Sequence, residues 1–310
     1  MVALSKPRVT RRANTWTPRE RRRLAIGLLF LSPWIIHFLA FEVYPFAASL
    51  YFSLTNYNIL QPPAFIGLEN YRAMVFDKLF WTSLYNTVYY LVLSLALATV
   101  VAIGLALLLN MNVRGMAVYR TIFYLPSVTP AVALSVVWIW IFNAQYGLLN
   151  AGLRTIGLPT IGWLSDPAWT KNALVLMTLW GVGGTVVIYL AGLQDIPQEL
   201  YDAAKIDGAG SWSTLRHITL PLLSPVILFN IVTGMIAAFQ FFTPAFLLSG
   251  GKGGPVDSTL MYSLYLYLNA FQFFRMGFAS ALAWVLFIIV MLCTLVIMRS
   301  SNRWVFYAGR

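Results

Sequence analysis

The sequence predicts an all-α, polytopic membrane protein with six transmembrane helices, and three observations support that prediction. Hydrophobic residues make up 59% of the 310-residue chain, only 10% of its residues are charged, and its mean hydropathy is +0.73. Ordinary soluble domains contain about 25% charged residues. Six stretches are also long and apolar enough to cross about 30 Å of hydrocarbon, which takes roughly 20 residues of helix.

The six predicted spans are separated by charged or turn-forming segments. They cover residues 24–44, 81–109, 121–142, 171–193, 222–247 and 275–298, and the longest connections between them, 45–80 and 143–170, are predicted as loops. The first span follows a basic stretch, as the apolar part of a signal peptide would. Its apolar run is longer than the roughly 7 to 15 residues of such a signal, so we expect it to be retained.

The distribution of Lys and Arg predicts the orientation, because cytoplasmic connections collect these residues. With six spans both ends of the chain share one side, and that side holds most of the 21 basic residues: Lys6, Arg8, Arg11, Arg12, Arg19, Arg21, Arg22, Arg23, Arg114, Arg120, Lys205, Arg216, Arg299, Arg303 and Arg310. Both termini are therefore predicted to be cytoplasmic, with a basic tail at 1–23, a membrane domain at 24–298 and a second tail at 299–310. The net charge of +11 follows from this bias, and it places membrane lipids, not nucleic acid, beside the tails.

The chain has none of the patterns that carry bond chemistry. A glycine-rich turn at 250–255 contains Lys252, but no G-x-x-x-x-G-K-[ST] phosphate-binding pattern occurs anywhere. Cys293 is the only cysteine, and no paired-carboxylate, Cys/His or metal-ligand spacing is present. We therefore predict no catalytic residue, no metal site and no cofactor bound by this chain.

The loop at 194–221, between the fourth and fifth predicted spans, contains charged residues and residues that begin or end helices. Asp195 is predicted to cap a helix, with Gln198 three residues later in capping-box spacing. A turn at Asp207-Gly208 ends that helix, and 211–217 forms a second short helix before Pro221. The loop is predicted to be a helix-turn-helix that protrudes from the membrane surface.

In this loop the chain resembles the membrane-spanning permease subunits of binding-protein-dependent ABC importers. Their motif reads E-A-A, three residues, G, nine residues, I-x-L-P, and this chain matches it at Ala203, Ala204, Gly208, Ile218, Leu220 and Pro221. Asp202 stands where the family usually has Glu, which keeps the charge on a shorter side chain. Further stretches resemble the carbohydrate-uptake branch, which includes the maltose-type permeases: Tyr44-Pro45 with Ser49 and Ser53, 65–71, Asn86-Thr87, Leu125-Pro126 and Gly253-Gly254-Pro255.

This resemblance implies the transmembrane domain of a type I ABC importer in a bacterial or archaeal inner membrane. An extracytoplasmic solute-binding protein would deliver a sugar, this chain and a second permease subunit would form the pathway, and two separate ATPase subunits would bind ATP and Mg. By the same resemblance the 194–221 loop would sit in a cleft of one ATPase, with Asp202, Ala203, Ala204, Asp207 and Gly208 making the contact and Ile218, Leu220 and Pro221 tying it to the fifth span.

The substrate pathway is predicted on the spans that flank this loop, where the resembling sugar permeases have theirs. The candidates are Trp180, Gly183, Gly184, Thr185, Asn230, Phe239, Gln240 and Phe242, with Gln240 foremost because a polar side chain in a span needs protein or water beside it. Two other interpretations stay open. The glycines also suit close helix packing, and Asn230 and Gln240 also suit hydrogen bonds between helices.

A secondary transporter coupled to ions or protons, or a channel, is the alternative class of function. Such proteins carry acidic residues or histidines within their spans. Here Glu42 is the acid nearest to a span and lies at its end, while His37 has no second histidine nearby. The sequence therefore favours the importer.

Overall fold

The computed structural model describes residues 17–306, in which helices dominate. Residues 1–16 of the predicted basic tail and 307–310 of the second tail lie outside the described residues. The chain divides into two units, Met1–Tyr51 and Phe52–Arg310, and each is described by itself.

Fifteen α-helices and one pair of short strands make up the described chain, with three π-helical segments and a 3₁₀ turn between them. In chain order the elements are α1 Pro18–His37, α2 Tyr44–Ser53, β1 Thr55–Asn56, β2 Ala64–Phe65, α3 Glu69–Phe76, α4 Lys78–Leu109, α5 Met116–Val128, α6 Ala131–Ile141, α7 Leu148–Thr155, α8 Pro167–Trp180, α9 Gly183–Gln194, α10 Gln198–Ile206, α11 Ser211–Thr214, α12 Leu220–Phe239, α13 Thr243–Leu248, α14 Tyr262–Tyr267 and α15 Met276–Ser301; the π-helical segments are Phe38–Val43, Leu215–Thr219 and Leu268–Gln272, and the 3₁₀ turn is Pro255–Asp257.

The first unit begins with a capped helix. The Thr17 hydroxyl accepts a hydrogen bond from the Glu20 N–H, and the Glu20 carboxylate accepts one from the Thr17 N–H at 2.7 Å, which is a capping box. A π-helical segment joins α1 to α2, so the helical stretch Pro18–Ser53 is longer than the predicted span at 24–44. Pro45 has no N–H for the helix ladder, and the Tyr44 N–H beside it bonds five residues back, to Leu39.

Four helical stretches of the described chain are long and apolar enough to cross a membrane, and two bent pairs reach that length together. The four are Pro18–Ser53, Lys78–Leu109, Ser211–Leu248 and Met276–Ser301, and the pairs are α5 with α6 and α8 with α9. Six spans are obtained when each bent pair counts as one. The prediction of six apolar segments therefore holds, but two of them are not straight helices.

The third predicted span, 121–142, is broken in its middle, which corrects the prediction of one continuous helix. α5 and α6 are bent by 98°. Thr129 adopts an extended conformation, as the residue before a proline usually must, and Pro130 cannot donate to the helix ladder. The fourth predicted span bends by 48° at residues 181–182, between α8 and α9.

The predicted loop at 45–80 contains ordered structure. The strands β1 and β2 pair antiparallel, with Thr55 opposite Phe65. Asn70 on α3 donates from Nδ2 to the carbonyls of Ser53 and Thr55 at 2.9 Å, and the Tyr71 hydroxyl lies 2.7 Å from the Ser53 hydroxyl. The 65–71 stretch thus fixes the hairpin to the end of α2.

A second irregular segment, after the 250–255 turn, is held by α4. Asn86 donates from Nδ2 to the carbonyls of Asp257 at 2.8 Å and Leu260 at 3.2 Å. The Thr87 hydroxyl accepts the Tyr262 N–H at 2.8 Å. Two adjacent α4 side chains therefore satisfy backbone groups that no helix satisfies, as buried backbone requires.

The main packing surface is α4, which contacts α8, α9, α12 and α14. One buried cluster, which includes Tyr262, Leu264 and Leu282, lies where α14 meets α4 and α15. A second cluster, which includes Ala102, Tyr189 and Leu223, joins α4 to α9 and α12. α4 is thus the central helix of the second unit.

α5 meets α9 at a glycine. A Cβ atom added to Gly183 would lie 2.2 Å from the Phe123 carbonyl oxygen, so the two backbones approach too closely for any side chain there. A Cβ on the next residue, Gly184, would lie 3.9 Å from Ser127, which is ordinary contact. Only the first glycine is required by packing.

We expect Gly183→Ala to displace α5 and to lower the thermal stability of the detergent-solubilised chain, since backbone cannot yield as a flexible side chain does. Gly184→Ala, its neighbour and matched control, should leave the unfolding temperature within about 2 °C, because a substitution that strains nothing changes stability by about 0.5 kcal/mol or less. Equal unfolding temperatures for the two variants in a thermal-shift assay would contradict this account of the α5–α9 contact.

Candidate functional site

The first helix of the 194–221 loop begins differently from the prediction. Asp195 does not cap α10: it stands at the C-terminal end of α9 with helical backbone angles, and its N–H donates to the Ala191 carbonyl. An N-cap residue needs an extended backbone, which Asp195 lacks because α9 runs through Gln194. Pro197 occupies the N-cap position of α10, without a side-chain hydrogen bond.

The end of α10 agrees with the prediction. Gly208 has a φ of +74°, the left-handed conformation that glycine adopts without strain. Its N–H donates to the Lys205 carbonyl at 3.1 Å, and the Ala209 N–H donates to the Ala204 carbonyl at 2.9 Å. These two bonds form a Schellman motif, which ends the helix and reverses the chain.

The acidic residue at the start of the motif is held in an exposed ion pair. Lys205 Nζ lies 3.1 Å from the Asp202 carboxylate, and Gln198 donates to the same carboxylate oxygen at 3.5 Å. The pKa of Asp202 lies below its ordinary value, mainly because Lys205 donates a hydrogen bond to the carboxylate and secondly because Gln198 does. Asp202 therefore stays negatively charged at neutral pH.

The paired alanines lie on different faces of α10. Ala204 is buried, whereas Ala203 is exposed together with Asp207. Both alanines and Asp207 line a shallow cavity of about 320 Å³ with Ile218 of the following π-helical segment. Four of the eight predicted coupling residues are thus brought together, while Asp202, Gly208, Leu220 and Pro221 are not part of the cavity lining.

The second half of the loop continues into the membrane. The sequence predicts that the helix beginning at Ser211 ends before Pro221. In the structure this helix instead runs through a π-helical segment into α12. The Tyr201 hydroxyl on α10 lies 3.2 Å from that of the buried Thr219. This link between the two halves of the loop was missed by the sequence analysis, although both residues are polar and lie within the loop.

A cavity of about 300 Å³ lies between α4, the bend from α8 to α9, and α12. Two predicted pathway residues, Thr185 and Asn230, line it. The sequence analysis missed the others, and no signal within one segment marks them because α4, α8, α12 and the residues that follow α8 and α12 contribute them: Tyr90, Ser94, Leu95, Ala98, Thr99, Thr178, Gly181, Val182, Gly234, Ala237, Ala238 and Phe241.

The polar groups of this cavity are arranged beside an aromatic surface. The Tyr90 hydroxyl lies 2.8 Å from that of Thr178, and the Tyr90 ring stacks on Phe241 with centroids 4.3 Å apart. Asn230 is buried, and its Nδ2 donates to the Val226 carbonyl at 2.9 Å within its own helix. Aromatic faces beside hydroxyl and amide groups suit a ligand with both apolar and hydroxyl-bearing surfaces.

The remaining pathway candidates lie elsewhere in the second unit. Gln240 is exposed where α12 ends, and Trp180 is exposed, with its ring nearly perpendicular to that of Trp138. Phe239 is buried, and Phe242 packs against Phe246 and Tyr267; Gly183 and Gly184 face α5. None of these six lines the cavity.

Comparison with known proteins agrees with the resemblance. The family described as binding-protein-dependent transport system inner membrane component matches residues 98–306. The chain is 43% identical over 287 residues to the probable ABC transporter permease protein YesP of Bacillus subtilis (strain 168), covering 92% of this chain and 93% of that protein. It is 36% identical to the lactose transport system permease protein LacF of Rhizobium radiobacter, covering 85% and 90%.

A further relative and a solved structure extend the comparison. The trehalose/maltose transport system permease protein MalF of Thermococcus litoralis is 32% identical, covering 92% of this chain and 97% of that protein. A chain of a bacterial ABC transporter involved in the import of the acidic polysaccharide alginate superposes with a TM-score of 0.80 at 25% identity, covering 92% of this chain and 98% of that one. The chain belongs to the family of binding-protein-dependent inner-membrane transport components, the permease subunits of ABC transporters.

Proposed function

We propose that this permease forms, with a second permease subunit, the pathway of an ATP-driven importer for a sugar or oligosaccharide. Relatives named for lactose and for trehalose and maltose support the class of substrate. The observation that carries the proposal is the cavity beside Thr185 and Asn230, whose volume of about 300 Å³ and mixture of stacked aromatic and hydroxyl groups suit a saccharide unit.

The partners in this proposal are an extracytoplasmic binding protein that delivers the sugar and two ATPase subunits that bind ATP and Mg. One of the similar structures is described as an alginate transporter in complex with a pentasaccharide-bound periplasmic protein, which supports the first of these. The chain itself binds no cofactor in this scheme and makes no covalent intermediate. Its role is to change conformation when the ATPase pair closes.

The proposed ATPase contact is the outer face of α10. Ile206 is 87% exposed and lies beside the exposed Ala203 and Asp207, so an apolar side chain and a small one are presented together. A small residue on a helix face lets a partner surface approach closely. Covering an exposed apolar side chain removes its surface from water, which stabilises the complex. Asp202 contributes a negative charge to α10, and Gly208 forms the turn that ends this helix.

The proposed route of coupling follows one helical path. α10 is hydrogen-bonded through Tyr201 to Thr219, and the helix that contains Thr219 continues to Asn230 in the cavity wall. A movement of α10 would therefore reach the cavity along α12. Swinging a two-state transporter from mostly closed to mostly open takes roughly 5 kcal/mol of differential binding, which ATP-driven closure of the partner would supply.

We expect Gly208→Asp to leave the chain in the membrane and to reduce sugar uptake about tenfold or more. A Cβ at Gly208 meets nothing within 4 Å in this chain, but a side chain at a φ of +74° strains the turn, so the substitution both disturbs the end of α10 and obstructs the docked partner. The matched control is Gly210→Asp, which adds the same charge two residues away at a φ of −72°. Uptake and ATPase co-purification would be measured for both, and normal uptake by assembled Gly208→Asp complexes would refute the coupling role.

We expect Thr185→Val to raise the KM for sugar uptake about fivefold, because one hydrogen bond from the cavity wall is worth about 1 kcal/mol. Thr233→Val is the control, since Thr233 is exposed on α12 and its hydroxyl donates to the Phe229 carbonyl of its own helix. The measurement is the concentration dependence of uptake in proteoliposomes that contain the assembled importer. Equal KM values for both variants would place the sugar outside this cavity.

A further inference from the structure

Near its start α12 lacks one backbone hydrogen bond, and a side-chain hydrogen bond replaces it. Pro225 lies inside the helix and has no N–H, so it cannot donate to the carbonyl of Pro221 four residues earlier. The Ser224 hydroxyl donates to that carbonyl instead, at 2.6 Å. Ser224 is buried, where an unsatisfied carbonyl would be costly.

The same hydroxyl accepts a hydrogen bond from the far end of the chain. The Phe306 N–H donates to Ser224 Oγ at 2.8 Å, across 82 residues of sequence. Ser224 therefore joins two backbone groups: its proton goes to the Pro221 carbonyl, and its lone pair receives the Phe306 N–H. A hydroxyl can do both at once, whereas no apolar side chain can do either.

The C-terminal segment is folded back in an ordered way to make this contact. After α15 the chain turns, with the Trp304 and Val305 N–H groups donating to the Ser301 carbonyl at 3.1 and 2.9 Å. Ser301 is buried, and its hydroxyl donates to the Met298 carbonyl at 2.6 Å. Residues 302–306 thus form a defined connection, which we call the C-terminal strap.

The strap attaches near the start of α12, where the 194–221 loop joins that helix. Pro221 ends the motif of the 194–221 loop, and the π-helical segment Leu215–Thr219 lies just before it. Prolines and π-turns are where helices bend, because the ladder of hydrogen bonds is interrupted there. A bend that is free to flex would absorb a movement of α10 before it reached Asn230.

We infer that the C-terminal strap, through Ser224, stiffens this proline hinge and so makes the C-terminus part of the coupling path between the 194–221 loop and the membrane cavity. The inference rests on the proposed function, because it concerns how motion at that loop is transmitted. Ser224 is a positioning residue: it contacts neither sugar nor ATPase. The partner of the hinge is a segment of this same chain.

The strap is tested first on the purified full chain in lipid nanodiscs, by hydrogen–deuterium exchange of the peptides that contain Phe306. Ser224→Ala should speed exchange of the Phe306 amide about fivefold, because it removes one hydrogen bond, and Ser224→Thr should not, because it keeps the hydroxyl. Equal exchange in the wild-type chain and Ser224→Ala overturns the strap, whatever the chain transports.

The role in coupling is tested in proteoliposomes with the assembled importer, as the number of sugars moved per ATP hydrolysed. Ser224→Ala and deletion of residues 305–310 should each lower this ratio about fivefold, because each removes the Ser224–Phe306 hydrogen bond, worth about 1 kcal/mol. Ser224→Thr and deletion of 307–310, which keeps Phe306, should leave the ratio unchanged. A merely structural role would lower the amount of folded complex and not the ratio.

The two proposals fail in different ways. Accelerated exchange in Ser224→Ala with a wild-type ratio overturns the coupling role of the strap and leaves the importer intact. A wild-type chain that recruits no ATPase and moves no sugar overturns the proposed function, and the exchange measurement still decides whether the strap exists.

Discussion

Backbone hydrogen bonding in a low-dielectric surrounding is the constraint on which the rest of this structure depends. Within hydrocarbon every N–H and C=O must find a partner in the protein, so each interruption of a helix has to be compensated. Side chains compensate three of the interruptions in residues 17–306. Side chains of Asn86 and Thr87 hold the segment before α14, Asn70 holds the hairpin, and Ser224 replaces the bond that Pro225 cannot make.

One helical path, from Ser211 to Phe239, joins the 194–221 loop to the cavity. It begins in the 194–221 loop and passes the cavity at Asn230, which lies about 17 Å of helix beyond Thr219 at a rise of 1.5 Å per residue. In the proposed scheme this continuous helical path links the loop to the cavity directly, without a chain of contacts between separate elements. The irregular part of the path is confined to the stretch between Leu215 and Pro225, close to the loop.

Local signals in the sequence predicted the local features of the structure. Gly208 predicted the turn correctly, because the left-handed residue of a Schellman motif is usually glycine. The prediction that Asp195 caps α10 was wrong, because the start of α10 depends on where α9 ends. The break at Pro130 was missed because residues 121–142 are apolar enough overall to predict one span, although Pro126, Ser127, Thr129 and Pro130 interrupt the stretch. The cavity escaped because its lining is assembled from distant segments, so that Tyr90 meets Phe241 only after folding.

The pairing of Ser224 with Pro225 also bears on how such a sequence can change through evolution. A substitution that gives position 225 an N–H restores the bond to the Pro221 carbonyl, so that the Ser224 hydroxyl is then needed only by the Phe306 N–H. Loss of the hydroxyl alone leaves the carbonyl orphaned. Loss of the proline first is therefore the less costly order, because a later loss of the serine then removes the partner of one backbone group, the Phe306 N–H, and not of two.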